Sequence, residues 1–354
     1  VATTILGGGI AGTALAGALA RTGDKVTLYE QQHTGSAGGA FLFMDDRGHD
    51  ALTGLGVNAD ALNAASRSTL GMDYTNSAGV NSSRPNSGHR VWLRANLIAV
   101  LREFLAESGV DARHGARIAG LEVESGVATL HVDDHPVVAV VDELIIAADG
   151  IDSVVRAHLE PGRVPVYSGD VVVYGMTTVP VELHSPSEVL HFYDEITSRG
   201  KGSTFGHIWS GDSAALWFLR LPRDPLPSDD LGVRPVGEWA GEIQAATPSN
   251  TSLLETLLAR TDSVHVSNAR SLPLDNATPP NPSILLIGDA DHAITPAAGV
   301  GARDALEDAH AVYQAITRGE SPAEAMIHRR ARLRADRERA QRLIRQSTGR
   351  PAST

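Results

Sequence analysis

The chain opens on Thr3-Thr4-Ile5-Leu6-Gly7-Gly8-Gly9-Ile10-Ala11-Gly12, and this stretch decides the fold. Thr3 to Leu6 is a short β-prone run, and Ile10 to Arg21 is an alanine-rich stretch of helical type. Between them Gly7, Gly9 and Gly12 keep G-x-G-x-x-G spacing. In such a turn the first glycine permits the tight bend, the second lets the backbone approach a pyrophosphate, and the third lets helix and strand pack closely. The helix N-terminus adds N–H donors and a partial positive charge. Thr22-Gly23-Asp24 breaks the helix, and Lys25 to Glu30 (KVTLYE) reads as a second strand. Glu30 closes that strand, where a carboxylate accepts ribose hydroxyls and repels a 2′-phosphate. Alone, the hexapeptide is equally a glycine-rich turn. With strand, helix and acid in register, it predicts a dinucleotide site.

Two more strand ends carry an acid. Leu144 to Ala148 is an apolar strand ending at Asp149-Gly150, with Asp152 or Ser153 available to cap a following helix. Ser283 to Ile287 ends at Gly288-Asp289, and Gly299-Val300-Gly301 then opens another helix, exposing N–H groups to an anion or an electron-rich ring edge. Each alone reads as a capped turn or a glycine-rich loop. Three such ends together fall where open α/β sheets bind their ligands.

The remaining pattern places these motifs. Arg94 to Ser108, Val236 to Ala246, Leu253 to Arg260, Gly301 to Arg318 and Pro322 to Gln346 read as helices, and Val110 to Val141 as strands. Val171 to Leu221 is strand-like with Gly/Ser/Asp turns, and Pro222 to Pro235 reads as a linker. The expected fold class is α/β. A discontinuous Rossmann-like nucleotide domain (1–165 and 266–320) carries an inserted, mainly antiparallel substrate domain (166–265), followed by a C-terminal helix and tail (321–354).

Composition narrows the function. With 354 residues, 42% hydrophobic and 20% charged, the chain has the make-up of a soluble globular protein. It has no cysteine, which excludes disulfides and points to a reducing cytoplasm. The net charge of −12 argues against a nucleic-acid partner. Nine arginines between 328 and 350 run against that balance, and they read as the solvated face of a helix whose apolar stripe (Ile327, Leu333, Leu343, Ile344) is thin. Ile5 to Ala20 is uncharged, but it lacks a basic flank and holds five glycines, unlike a signal peptide. No apolar run reaches the roughly 20 residues of a membrane span. His131 and His135 lie four apart in a strand without the helical H-E-x-x-H pattern, so a hairpin is expected rather than a metal site. No G-x-S-x-G elbow supports hydrolysis.

GGGIAG with Glu30, AADGIDSVVR (147–156) and LIGDADHAITPAAGVGARDALEDA (286–309) together resemble the single-component FAD-dependent aromatic hydroxylases, typified by p-hydroxybenzoate hydroxylase, over nearly the whole chain. Leu93-Arg94-Ala95-Asn96-Leu97 resembles that family's FAD-contacting arginine at a helix start. Ser203 to Trp209 followed by Ala215 to Phe218 resembles its paired substrate strands. The resemblance implies that Gly7, Gly9, Ala11, Gly12 and Glu30 hold the ADP half of FAD and that Arg94 contacts it. It places Asp289 at the ribityl or pyrophosphate region, Gly299, Val300 and Gly301 against the flavin ring, and Asp149 with Gly150 at the cofactor border. It further implies a monooxygenase in which NADPH or NADH is a transient donor and O₂ forms a flavin hydroperoxide that hydroxylates or epoxidises a small organic substrate, aromatic or polyketide-like. With one G-x-G-x-x-G only, the donor visits without a Rossmann domain of its own.

No charged catalytic residue is required of the protein. The pocket candidates are Tyr174, His191, Tyr193, His207, Trp209 and Trp217, of which strand alternation sends about half inward. Two positions depart from the family: Arg303 stands where asparagine is usual, and Gln31-Gln32-His33 lacks the arginine that often follows the ribose-binding acid. The rival readings are an oxidase or reductase on the same fold, a halogenase (whose GWxWxIP stretch is missing), and a non-catalytic FAD-binding protein working through its basic C-terminal helix.

Overall fold

The computed structural model describes residues 2–33, 40–124, 127–133, 135–140, 143–196, 202–295 and 299–348. Its first layer is a five-stranded, all-parallel sheet in the order Ile284–Leu286, Leu144–Ala147, Ala2–Leu6, Lys25–Glu30, Asp111–His114. The chain therefore starts in the centre of the sheet and adds strands to both sides, the last of them almost 140 residues after its neighbour. Helices Ile10–Arg21, Arg94–Ala106 and Gly301–Arg318 cover one face and bury Leu15, Leu19, Leu97, Leu101, Leu306 and Val312 against Ile5, Leu28 and Ile146. A small antiparallel sheet (Ile118–Glu124, Val127–Val132, His135–Val140) and helix Val154–Leu159 cover the other through Leu121, Leu130 and Val155. Gly319 ends its helix in the left-handed region (φ 68°), where glycine meets no Cβ penalty.

The second layer is an eight-stranded sheet, antiparallel except for one pair. It runs Gly232–Pro235, Ser263–Ser271, Val166–Pro180, Ser213–Pro222, Gly202–Ser210, Val189–Ile196, Gly71–Thr75, Asn81–Pro85. The sheet thus extends beyond the segment 166–265 at both ends: it recruits two strands from 71–85, and its strand Ser263–Ser271 crosses the expected boundary. The supposed linker 222–235 supplies a short edge strand. Helices Val236–Ala246 and Thr251–Leu258 pack on one face against Val171, Val173, Phe205, Trp217 and Leu219. On the other face Tyr174, Phe192 and Phe218 meet Phe41, Phe43 and Val91 of a three-stranded sheet (Phe41–Met44, Ser66–Ser68, Arg90–Leu93), which lies between the two layers.

The C-terminal helix, Pro322–Thr348, departs from the expected solvated face at its first two arginines. Arg329 and Arg330 are buried, at 6% and 5% exposure, rather than on a solvated face. Farther along, Arg332, Arg334, Arg339 and Arg342 are exposed, as a solvated face requires. Of the histidine pair, His131 sits 3.3 Å from Glu122 on the hairpin, and the side chain of His135 lies outside the described residues. Among the described residues no helix is long and apolar enough to cross a membrane.

Trp217 is fully buried beneath the helices, and its indole N–H donates to Thr261 Oγ1 at 3.2 Å. Trp217→Ala should lower unfolding free energy by about 3–5 kcal/mol, whereas Tyr174→Phe, on the opposite face, should cost less than about 1 kcal/mol. Urea denaturation of both variants checks this, and a Trp217→Ala loss below about 1 kcal/mol would refute its burial beneath the helices.

Candidate active site

Along the carboxyl edge of the parallel sheet runs a cleft of about 750 Å³, within the roughly 300–1,000 Å³ of small-molecule sites. Its walls include Gly7, Gly8, Gly9 and Glu30 from the first βαβ unit, Asp149, Gly150 and Asp152 from the second turn, and Arg94 from the helix start. The glycine turn is shaped by two separate demands. Gly7 has φ +100°, and a Cβ there would lie 2.4 Å from the Ala148 carbonyl oxygen; at Gly12 it would lie 2.0 Å from the Gly7 oxygen. Those two are glycines for the protein's own packing. Gly9 differs: its backbone is extended (φ −74°, ψ −165°), open to any residue, and a Cβ there meets nothing within 4 Å. The fold itself does not require glycine at that position, so the open cradle fits a group that lies against the backbone at the helix N-terminus.

The acids are placed differently. Glu30 accepts from the backbone N–H of Gly8 at 2.5 Å and of Gln32 at 2.6 Å, which fixes its carboxylate at the cleft wall. Asp149 accepts from Val154 N–H through Oδ2 at 3.0 Å, while its buried Oδ1 has no partner in the protein. Burial pushes its carboxyl above the usual range, opposed by hydrogen bonds from Ser153 and the following backbone. An orphaned buried oxygen on the wall of a cleft fits a ligand donor. Ser153, not Asp152, caps the helix, accepting from Arg156 N–H at 3.0 Å; Asp152 instead pairs with Arg270 at 2.7 Å and fastens the large sheet to this turn.

Asp289 is exposed at the end of its strand yet ringed by protein, and burial pushes its carboxyl up while His292 and Arg94 pull it down. It is not part of the cavity wall proper, nor are Gly299, Val300 and Gly301. The preceding Gly288 packs against Ala305 of helix Gly301–Arg318: a Cβ on it would lie 3.1 Å from the Ala305 Cβ. Gly299 has φ +65° with open space around it, and Val300 caps helix Gly301–Arg318. Pro296 to Ala298 lie outside the described residues. Arg303 donates to Asp45 at 3.0 Å and Asp304 at 2.7 Å, so the residue replacing the family asparagine is held in ion pairs at the helix start. Gln31 and Gln32 line the cleft where an arginine was missed, and Arg102 and Arg117 from other elements bring positive charge to the same cleft.

The facing wall of the cleft is lined by one of the six pocket candidates, Tyr174. His191, Tyr193, His207, Trp209 and Trp217 sit on the opposite face, because strand alternation sets them with Val173, Phe205 and Leu219 toward the helices. There His191 and His207 stack at 4.9 Å, and burial, with His191 alongside, pushes the His207 imidazole down to about 3. His207 is a neutral core histidine bonded to Ser185 Oγ at 2.8 Å. The polar neighbour of Tyr174 on the cleft is one the sequence reading missed: His265, directly across from it in the register. The alternation Val264-His265-Val266, with both valines in the helix-side core, carries the signal that would have found it. Burial, and then the charge of Arg94, push its imidazole down, and its Nδ1 is buried without a partner. Phe41 joins the same wall, edge-on to Tyr174 at 5.5 Å.

The family model described as an FAD binding domain matches residues 1–346. The chain is 25% identical over 340 residues to a kynurenine 3-monooxygenase of Salinispora arenicola, covering 88% of this chain and 72% of that protein. It is 26% identical over 332 residues to a 6-hydroxynicotinate 3-monooxygenase of Bordetella bronchiseptica, covering 86% and 80%. Among solved structures, CtdE in complex with FAD and a substrate superposes with TM-score 0.80 at 19% identity, covering 98% of this chain and 89% of that one. Klebsiella pneumoniae HpxO with FAD and uric acid gives 0.72 at 20%, covering 94% and 83%. At such identities the structures speak for the fold, and the fold is theirs. With the family matched across almost the entire length, the chain belongs to the FAD-binding monooxygenases of the aromatic hydroxylase type, an oxidoreductase whose cofactor is FAD.

Proposed function

We propose that the protein oxygenates a small aromatic substrate held between FAD and the large sheet, with NADPH or NADH as transient donor and O₂ as co-substrate. The observation that carries this reading is the continuity of one cleft, from the glycine turn and Glu30 at the nucleotide edge to Tyr174 and His265 on the facing sheet. Bound FAD, once reduced, supplies the activation of O₂ that puts one oxygen atom into the substrate and releases the other as water. In the proposed arrangement Glu30 takes ribose hydroxyls, the backbone at Gly9 and Ala11 takes the pyrophosphate, and Asp149, Asp289 and Arg94 take polar groups along the cofactor. Gly299 to Gly301 present the helix N-terminus toward the ring. The substrate lobe is the eight-stranded sheet including residues 71–85, not the segment 166–265 alone.

The substrate wall has a chemical bias. Phe41 and Tyr174 offer aromatic surface with Phe218 behind (its ring 6.4 Å from both), and aromatic pairs favour a ring ligand. Burial pushes the Tyr174 hydroxyl up, which keeps it protonated and a donor; the His265 imidazole is held neutral, an acceptor or donor. This pair suits a neutral ring bearing a hydroxyl, carbonyl or ring nitrogen better than a carboxylate that needs an ion pair.

Three outcomes are expected. With a panel of such neutral aromatics, NAD(P)H oxidation should be substrate-stimulated, with oxygenated product formed in step with O₂ uptake; hydrogen peroxide as the sole product across the panel would favour an oxidase. Gly9→Val should fold as the parent does, yet lose about 1–3 kcal/mol of FAD affinity, roughly tenfold to a hundredfold. A fully yellow Gly9→Val protein with unchanged affinity would refute the cradle. Tyr174→Phe and His265→Ala should retain FAD and lower kcat/KM by about 1–3 kcal/mol for the hydroxylated ring, with little change for its deoxy analogue, as steady-state kinetics would show.

A further inference from the structure

Asp289 stands on a single helical turn, Asp289–His292, which is too short to hold its own shape. Every other residue of that turn, and the glycine before it, is gripped from behind. Gly288 N–H donates to Asp308 Oδ2 at 3.0 Å, and the Ala290 carbonyl accepts from Arg156 at 3.0 Å. The Asp291 carboxylate accepts from Arg330 Nε at 2.9 Å and from Arg163 at 3.1 Å. His292 Nε2 lies 2.5 Å from Asp308 Oδ2, and the His292 carbonyl accepts from Arg337 at 3.1 Å. Arg329 completes the second centre, donating from Nε to Asp308 Oδ1 at 2.9 Å. Asp291 and Asp308 are both 0% exposed, whereas Asp289 is the exposed residue of the turn.

Two buried ion clusters beside one turn call for a physical reason. Buried ion pairs contribute little net stability over apolar packing of the same volume. What they do impose is geometry: a fully satisfied network permits one arrangement, and losing a partner strands a buried charge. Three of the arginines that close on this turn, Arg329, Arg330 and Arg337, come from the C-terminal helix.

We propose that the arginine-rich C-terminal helix is an internal strap, in which Arg329 and Arg330 act through Asp308 and Asp291 to fix the turn that presents Asp289 to FAD. Both are positioning residues that do not touch the cofactor. The inference rests on the reading of Asp289 as an FAD contact. It gives the basic helix a role inside the protein rather than as a surface for a partner.

The test compares Arg330→Met, Arg330→Lys, Asp291→Asn and Asp289→Ala with Arg342→Met, an exposed arginine of the same helix. FAD affinity is read by flavin fluorescence on titrating each full-length apoprotein, and folding by circular dichroism and Tm. Arg330→Met and Asp291→Asn should weaken FAD binding roughly tenfold or more, the scale seen when a group that orients a ligating residue is removed. Arg330→Lys should recover part of the loss, and Arg342→Met should bind as the parent does. If Arg330→Met does not fold, the near-isosteric Asp291→Asn and the conservative Arg330→Lys decide. Unchanged FAD affinity in these folded variants, while Asp289→Ala loses it, would overturn the strap and leave the Asp289 reading standing. Unchanged affinity in Asp289→Ala would overturn both.

Discussion

Gly7 and Ala148 approach backbone to backbone, so closely that a single methyl group on Gly7 would lie 2.4 Å from the Ala148 carbonyl oxygen. The rest of the site depends on this contact. It brings the ends of two parallel strands to one level, with Glu30 at the end of the flanking strand and Asp289 just beyond the end of the strand on the other side of Leu144–Ala147. Parallel strands all end in the same direction, so acids that close three strands face one edge whatever their separation in the chain.

On that edge the protein separates stiffness from reception. The residues that shape the turn, Gly7 and Gly12, are satisfied by the protein itself, and two of those proposed to meet the cofactor are left incomplete. Gly9 faces open space, and Asp149 keeps an unpartnered oxygen. Asp289 is the one residue of its turn not held from behind. Incompleteness of this kind is costly in a folded chain, and it gathers where a bound group would make up the missing contacts.

The large sheet shows the same division across its thickness. One face is hydrophobic and histidine-bearing, with His207 held neutral under the helices. The other carries Tyr174 and His265 to the cleft. Neighbouring residues on one strand therefore have opposite fates, and a shift of one position in register would exchange core for site.

How much of this was legible follows from the range of the interactions. The βαβ unit, the Gly301–Arg318 helix with its Gly319 stop, and the three acid-bearing strand ends are local patterns, and they stand where the spacing puts them. The faces of the middle strands were not legible. Their aromatic residues are spread over both faces, and only the packing of Val236–Ala246 and Thr251–Leu258 decides which face is core. The strands at 71–85 join a sheet whose other members begin some 80 residues later, a pairing with no local signature. The first two arginines of the basic run depart from its solvated face for the same reason: the carboxylates that bury Arg329 and Arg330 lie 21 and 39 residues away. The sequence by itself determined the glycine turn and the acid-bearing edge of the parallel sheet, because glycines and acids at strand ends act through their own backbone geometry. Only the tertiary structure decided which side chains face the cleft and what the basic helix holds, because both depend on partners that the fold brings together.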